Sequence, residues 1–72
     1  MSSKAIRVAL LSALERKGEP MSTREVATLF EMDWRVVYNH LTALEKEGFV
    51  LHEDEDGAYL WSVKEQHTPY IG

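Results

Sequence analysis

Residues 21–50, MSTREVATLFEMDWRVVYNHLTALEKEGFV, constrain this chain more than any other stretch. They predict a short helix, a tight turn and a longer helix that gives way to a strand. Ser22 and Glu25 have capping-box spacing: the hydroxyl can accept from the amide three residues on, and the carboxylate can reach back to the amide of Ser22. Met21 before that cap and Val26 one turn in have the spacing of a hydrophobic staple, and Met32 and Val37 repeat it around Asp33. Asp33 is a good N-cap for the second of these helices, with its carboxylate at the positive helix end. Gly48 can take the left-handed conformation that closes a helix. The helix spans predicted on these signals are residues 23–30 and 34–47, with Glu31 and Met32 as the turn.

Two capped helices in close succession form a helix-turn-helix pattern, whose second helix can enter the major groove of DNA. The run Val37-Tyr38-Asn39-His40-Leu41-Thr42-Ala43-Leu44-Glu45-Lys46-Glu47-Gly48-Phe49-Val50 resembles the recognition helix and first wing strand of winged helix-turn-helix regulators. The MarR and ArsR groups and the small PapI-like pilus-operon regulators share the pattern V-x-x-x-L-x-x-L-E-K-x-G-hydrophobic-Val. With its flanking elements the resemblance covers roughly residues 6–63. It implies an α+β winged helix-turn-helix fold of three helices followed by a two-stranded β-hairpin wing. The function it implies is that of a small DNA-binding transcription regulator.

The remaining chain fits that plan. Ser2 or Ser3 can cap a first helix in which Ile6, Ala9, Leu10, Ala13 and Leu14 form one apolar stripe at helical spacing. Val8 and Leu11 lie beside the stripe. They either complete the monomer core or offer a contact to a partner subunit. Gly18 and Pro20 end the helix, and residues 19–21 are a candidate short edge strand. Ala27 is the small residue where the two motif helices approach closely. After Gly48 the pattern alternates, predicting strands at 49–53 and 58–63 around a turn at 54–57; Asp56-Gly57 is a strong hairpin signal because both residues tolerate positive φ. Tyr59, Trp61 and Val63 share one strand face, expected to cover the helices, and Leu60 points the other way. The domain is expected over residues 1–65, with a polar tail at 66–72 in which Tyr70 and Ile71 are apolar enough to dock on a neighbour.

On the third helix Val37, Leu41 and Leu44 form the core stripe, and Arg35, Tyr38, Asn39 and Thr42 are expected in one exposed row. Arg and Asn have bidentate complements on guanine and adenine edges. Tyr38 can offer its hydroxyl to phosphate, Val36 can meet a thymine methyl, and Lys46 is a candidate phosphate contact. With Arg24, these seven residues are the expected DNA-binding set. The alternative is an ordinary solvated helix face.

Charge complicates the expectation. The chain of 72 residues has a formal charge of −4. Residues 1–30 hold five basic and three acidic groups, whereas residues 49–72 hold one and five. A wing tip of this family normally carries Arg or Lys; here Glu53, Asp54, Glu55 and Asp56 follow one another, and carboxylates repel phosphate. Either the wing turns away from DNA, or the domain is instead a protein-protein interaction module that uses the acidic wing with exposed apolar residues such as Trp34 and Leu60. A homodimer or another protein could also dock on the first helix, Leu60 or the tail.

Other chemistry finds no support in the residues. Cysteine is absent, so there are no disulfides or thiolate metal sites. His40, His52 and His67 lack metal-ligand spacing, and Tyr59 stands where a calcium loop starting at Asp54 would need glycine. No nucleophile motif or glycine-rich phosphate loop is present, so neither an enzyme activity nor a cofactor is expected. No apolar run approaches the ~20 residues that span a bilayer, and the expected location is the cytoplasm.

Overall fold

The computed structural model describes residues 2–64. The expected tail, with Gln66, His67, Pro69, Tyr70 and Ile71, lies outside them. The elements run α1 (Ser3–Lys17), β1 (Met21–Ser22), α2 (Thr23–Phe30), α3 (Trp34–Lys46), β2 (Val50–Glu55) and β3 (Ala58–Val63). This is an α+β arrangement: three helices, then an antiparallel hairpin, with one extra short strand.

Each helix end is closed by a local device. Ser2 caps α1, its hydroxyl accepting from the Ala5 amide at 3.1 Å. Gly18, at φ 70°, ends it by donating its amide to the Leu14 carbonyl. The capping box of α2 is complete: the Glu25 amide donates to the Ser22 hydroxyl at 3.1 Å, and the Ser22 amide donates to Glu25 Oε1 at 2.9 Å. The end of α2 uses no glycine. Glu31 takes the left-handed conformation at φ 52°, and the Met32 amide donates back to the Ala27 carbonyl at 3.0 Å. That reversal is the tight turn between α2 and α3. α3 ends at Lys46, one residue earlier than expected, because Gly48 at φ 87° turns the chain back. The Phe49 amide then donates to the Leu44 carbonyl at 2.9 Å. Phe49 is consumed in this closure, so β2 starts at Val50 and not at Phe49.

The hairpin is tighter than the expected four-residue turn. Glu55 pairs with Ala58, and only Asp56 and Gly57 form the loop, at φ 53° and 83°. A two-residue turn of the primed type needs positive φ at both positions, and these residues supply it. Glu53, Asp54 and Glu55 therefore belong to the strand. Strand order is β1-β3-β2. Met21 pairs with Trp61 and Ser22 with Leu60, so the edge strand starts two residues later than expected and ends one residue later. Pro20, which lacks an amide donor, is left outside it.

Register decides which side chains meet the helices. Val50, His52 and Asp54 lie opposite Val63, Trp61 and Tyr59, on one face. Leu51, Glu53 and Glu55 lie opposite Ser62, Leu60 and Ala58, on the other. The first face is the inner one, since Val50 and Trp61 are fully buried. The core joins them to Leu10 and Leu14 of α1, Met21, Val26 and Ala27, and Val37, Leu41 and Leu44 of α3. Trp61 is the largest buried side chain, and its indole N–H donates to Thr23 Oγ1 at 2.8 Å, which satisfies both polar atoms. Leu11 packs on the core, whereas Val8 remains exposed. No helix among the described residues is long and apolar enough to cross a membrane.

Candidate functional site

The core stripe of α3 faces inward as expected, so the other side of the helix faces out. Arg35, Val36, Asn39 and Lys46 are exposed there, as is Arg24 on α2. Two members of the expected row are not. Tyr38 is half-buried and packs against the core. Its ring centroid lies 5.8 Å from that of Tyr59 and 6.2 Å from that of Trp61. The hairpin folds over that flank of α3 and claims the tyrosine as packing. The neighbouring Tyr38 hydroxyl, by charge and by hydrogen bonding, pushes the Tyr59 phenol above its usual pKa; burial, Asp54 and Glu45 add to the rise. Thr42 is also half-buried, and its hydroxyl donates to the Asn39 carbonyl at 2.9 Å, leaving the oxygen lone pairs as its outward chemistry.

Between the start of α2, the start of α3 and the hairpin turn lies an open groove of 480 Å³, lined by Ser22, Thr23, Arg24, Trp34, Tyr38, Gly57, Ala58 and Tyr59. Arg24 stands over the Trp34 ring, 6.0 Å from its centroid, a cation–π placement that orients the guanidinium. A second concavity around the α2–α3 turn shares Arg24 and Trp34 and adds Glu31, Asp33 and Arg35.

Arg35 is not a free cation. Its Nε donates to Asp33 Oδ1 at 3.1 Å and its Nη2 to Asp33 Oδ2 at 2.9 Å, while its own amide donates to Oδ1 at 2.8 Å. The Arg35 side-chain hydrogen bonds come first, the backbone one next, in holding the Asp33 carboxyl down at about 2. The same pairing raises the Arg35 guanidinium above its ordinary value. The sequence identified Asp33 as a cap and missed this second role, although an acid two residues before an arginine at a helix start is a readable signal.

Other polar clusters serve packing. Arg7 Nε donates to His40 Nδ1 at 3.2 Å and tethers α1 to α3. His52 stacks on Tyr59 with ring centroids 4.1 Å apart, and its Nδ1 lies 2.7 Å from Glu45 Oε2, which ties β2 to α3. Among the described residues no cluster of His, Asp and Glu is arranged to hold a metal ion.

The profile of the HVO_A0114 family matches residues 4–64. The chain belongs to the HVO_A0114 family. Among the described elements that span takes in α1 from its second residue, α2, α3 and the three strands. No curated protein and no solved structure matches the chain, so function rests on the site itself.

Proposed function

We propose that this HVO_A0114-family domain is a winged helix-turn-helix DNA-binding protein, a small cytoplasmic transcription regulator that reads the major groove with the N-terminal half of α3. The observation that carries the reading is the joint exposure of Arg35 and Asn39 on the outer face of a helix whose inner face is locked by Val37, Leu41 and Leu44. N-terminal residues of such a helix are the ones that reach base edges. The groove beside them suits a phosphate strand: Arg24, with its guanidinium over the Trp34 ring, lines it together with Trp34 and Tyr38, side chains that carry N–H and O–H donors. Val36 is available to a thymine methyl, and Lys46 to a phosphate further along.

The acidic strand is compatible with this reading by position. Glu53 and Glu55 lie on the face of the hairpin turned away from the helices. Those same carboxylates, with exposed Leu51 beside them, favour the competing reading: a protein-binding module that uses the outer face of the wing.

Fluorescence anisotropy on sites selected from a random duplex pool separates the two. DNA reading predicts that Asn39→Ala weakens specific binding by ~1–3 kcal/mol, the worth of a bidentate base contact, while non-specific binding persists. Absence of binding even at low salt, where phosphate contacts are strongest, would remove the DNA reading and leave the protein-binding one.

A further inference from the structure

An arginine guanidinium has five N–H donors fixed in one plane. In Arg35 the Nε–H and one Nη2–H are used, on Oδ1 and Oδ2 of Asp33. The adjacent end-on edge, formed by Nη1 and the second Nη2 hydrogen, is left open, and the side chain is 72% exposed. That open edge is itself a two-pronged donor matched to two adjacent acceptors. In the major groove guanine presents such a pair, O6 and N7.

The anchor is part of the helix end. Asp33 accepts the Arg35 amide while it holds the guanidinium, so one carboxylate joins the side chain to the first turn of α3. The two hydrogen bonds restrict the rotamers open to a long, flexible side chain. Its charge is also cancelled locally, which weakens the pull of phosphate and leaves directional hydrogen bonding as the main interaction the group can make. The depressed Asp33 pKa keeps this anchor ionised well below the usual carboxylate range.

We infer that Asp33 is a positioning residue for DNA reading and that it holds Arg35 with its free edge turned outward to specify a guanine. The inference rests on the proposal that α3 reads DNA, and it adds the base, the residue and the device.

Asp33→Asn separates the two roles of the aspartate. Asparagine is an equally good N-cap, but it is neutral and offers a single acceptor oxygen. Arg35→Lys keeps the charge and loses the planar fork, at an exposed position where folding is insensitive. Sites are selected from a random duplex pool by the native chain and by both variants, then sequenced, and urea midpoints are compared. The native chain is expected to select one position as guanine, with a preference of roughly tenfold to a hundredfold over other bases. Arg35→Lys abolishes that preference. Asp33→Asn reduces it at least several-fold and, by removing a negative charge, tightens binding to non-specific duplex, with the urea midpoint lowered only by the small amount that a surface ion pair contributes. A selected motif whose base preferences neither variant alters would overturn this inference and leave DNA reading intact. Loss of the guanine with Arg35→Lys but full retention with Asp33→Asn would overturn the role of Asp33. A native chain that selects no motif removes both the inference and the reading beneath it.

Discussion

Asp33 shows how one side chain at a helix start can both cap the helix and hold a neighbouring cation. Its carboxyl titrates at about 2 when folded, against about 3.9 in an unfolded chain. Between those values the unfolded state binds the proton more readily, so the stabilisation from the ionised cap is complete above about pH 4 and disappears as pH falls through about 2. Thermal midpoints of the native chain and Asp33→Asn, followed from neutral pH into acid, should therefore separate above pH ~4 and draw together below it. A gap that stays constant across that range would show that the carboxylate charge contributes nothing. Because the pair is on the surface, added salt should narrow the gap. Tyr38 makes the complementary point. It stands in the polar row of α3 by spacing, yet its ring is held by Tyr59 and Trp61, so at most its hydroxyl edge is available to a ligand.

At the scale of elements, the hairpin distributes its acid by strand alternation. Glu53 and Glu55 face away from the helices, whereas Asp54 shares the inner face with His52 and Tyr59. A four-residue acidic loop would have pointed all its carboxylates at one place; the two-residue turn at Asp56-Gly57 prevents that. If DNA passes along α3, the outer carboxylates add only long-range repulsion. Glu53→Gln with Glu55→Gln should then raise duplex affinity modestly, with a larger gain at low ionic strength. Stability should hardly change, since both side chains are exposed. Weakened binding of a protein partner by the same pair of substitutions, with DNA affinity unmoved, would favour the protein-binding reading. Anisotropy titrations over a salt series measure both.

For the whole molecule, one residue links all layers. Trp61 lies in the central strand of the sheet, is fully buried, and donates to Thr23 at the start of α2. Trp61→Phe removes the donor and leaves the Thr23 hydroxyl buried without a partner, which costs ~1–3 kcal/mol before the smaller ring volume is counted. Leu41→Ala, which empties a position between α3 and the remaining core, should cost ~2–5 kcal/mol. In a domain this small such losses are a large part of total stability. Urea titration monitored by far-UV circular dichroism checks both; unchanged midpoints would mean that the core is organised differently.

The sequence alone determined the helices, the caps at Ser22, Asp33, Gly18 and Gly48, and the Asp56-Gly57 pair at the hairpin tip. Ser22 with Glu25, Asp33, Gly18, Gly48 and Asp56-Gly57 each act on atoms within about five residues, and interactions that local leave a readable spacing. The inward stripe of Val37, Leu41 and Leu44 was legible for the same reason, since helical periodicity fixes which side chains share a face. The exact limits of the strands were less so: Phe49 was taken by a helix closure, and Met21–Ser22 found its partner in β3 only because the chain returned there. Asp33 and Arg35 are two residues apart and their pairing is readable from that spacing, but assigning Asp33 to the cap and Arg35 to the outward row treats them as separate. What only the tertiary structure decided was contact across the chain: Tyr38 drawn inward by Tyr59 and Trp61, Thr23 meeting Trp61 at a separation of 38 residues, and a groove that assembles Arg24, Trp34 and Tyr59 from three elements. No spacing rule encodes such meetings. They follow from how three helices and a short sheet bury one shared set of apolar side chains, and that is settled only when the whole core closes at once.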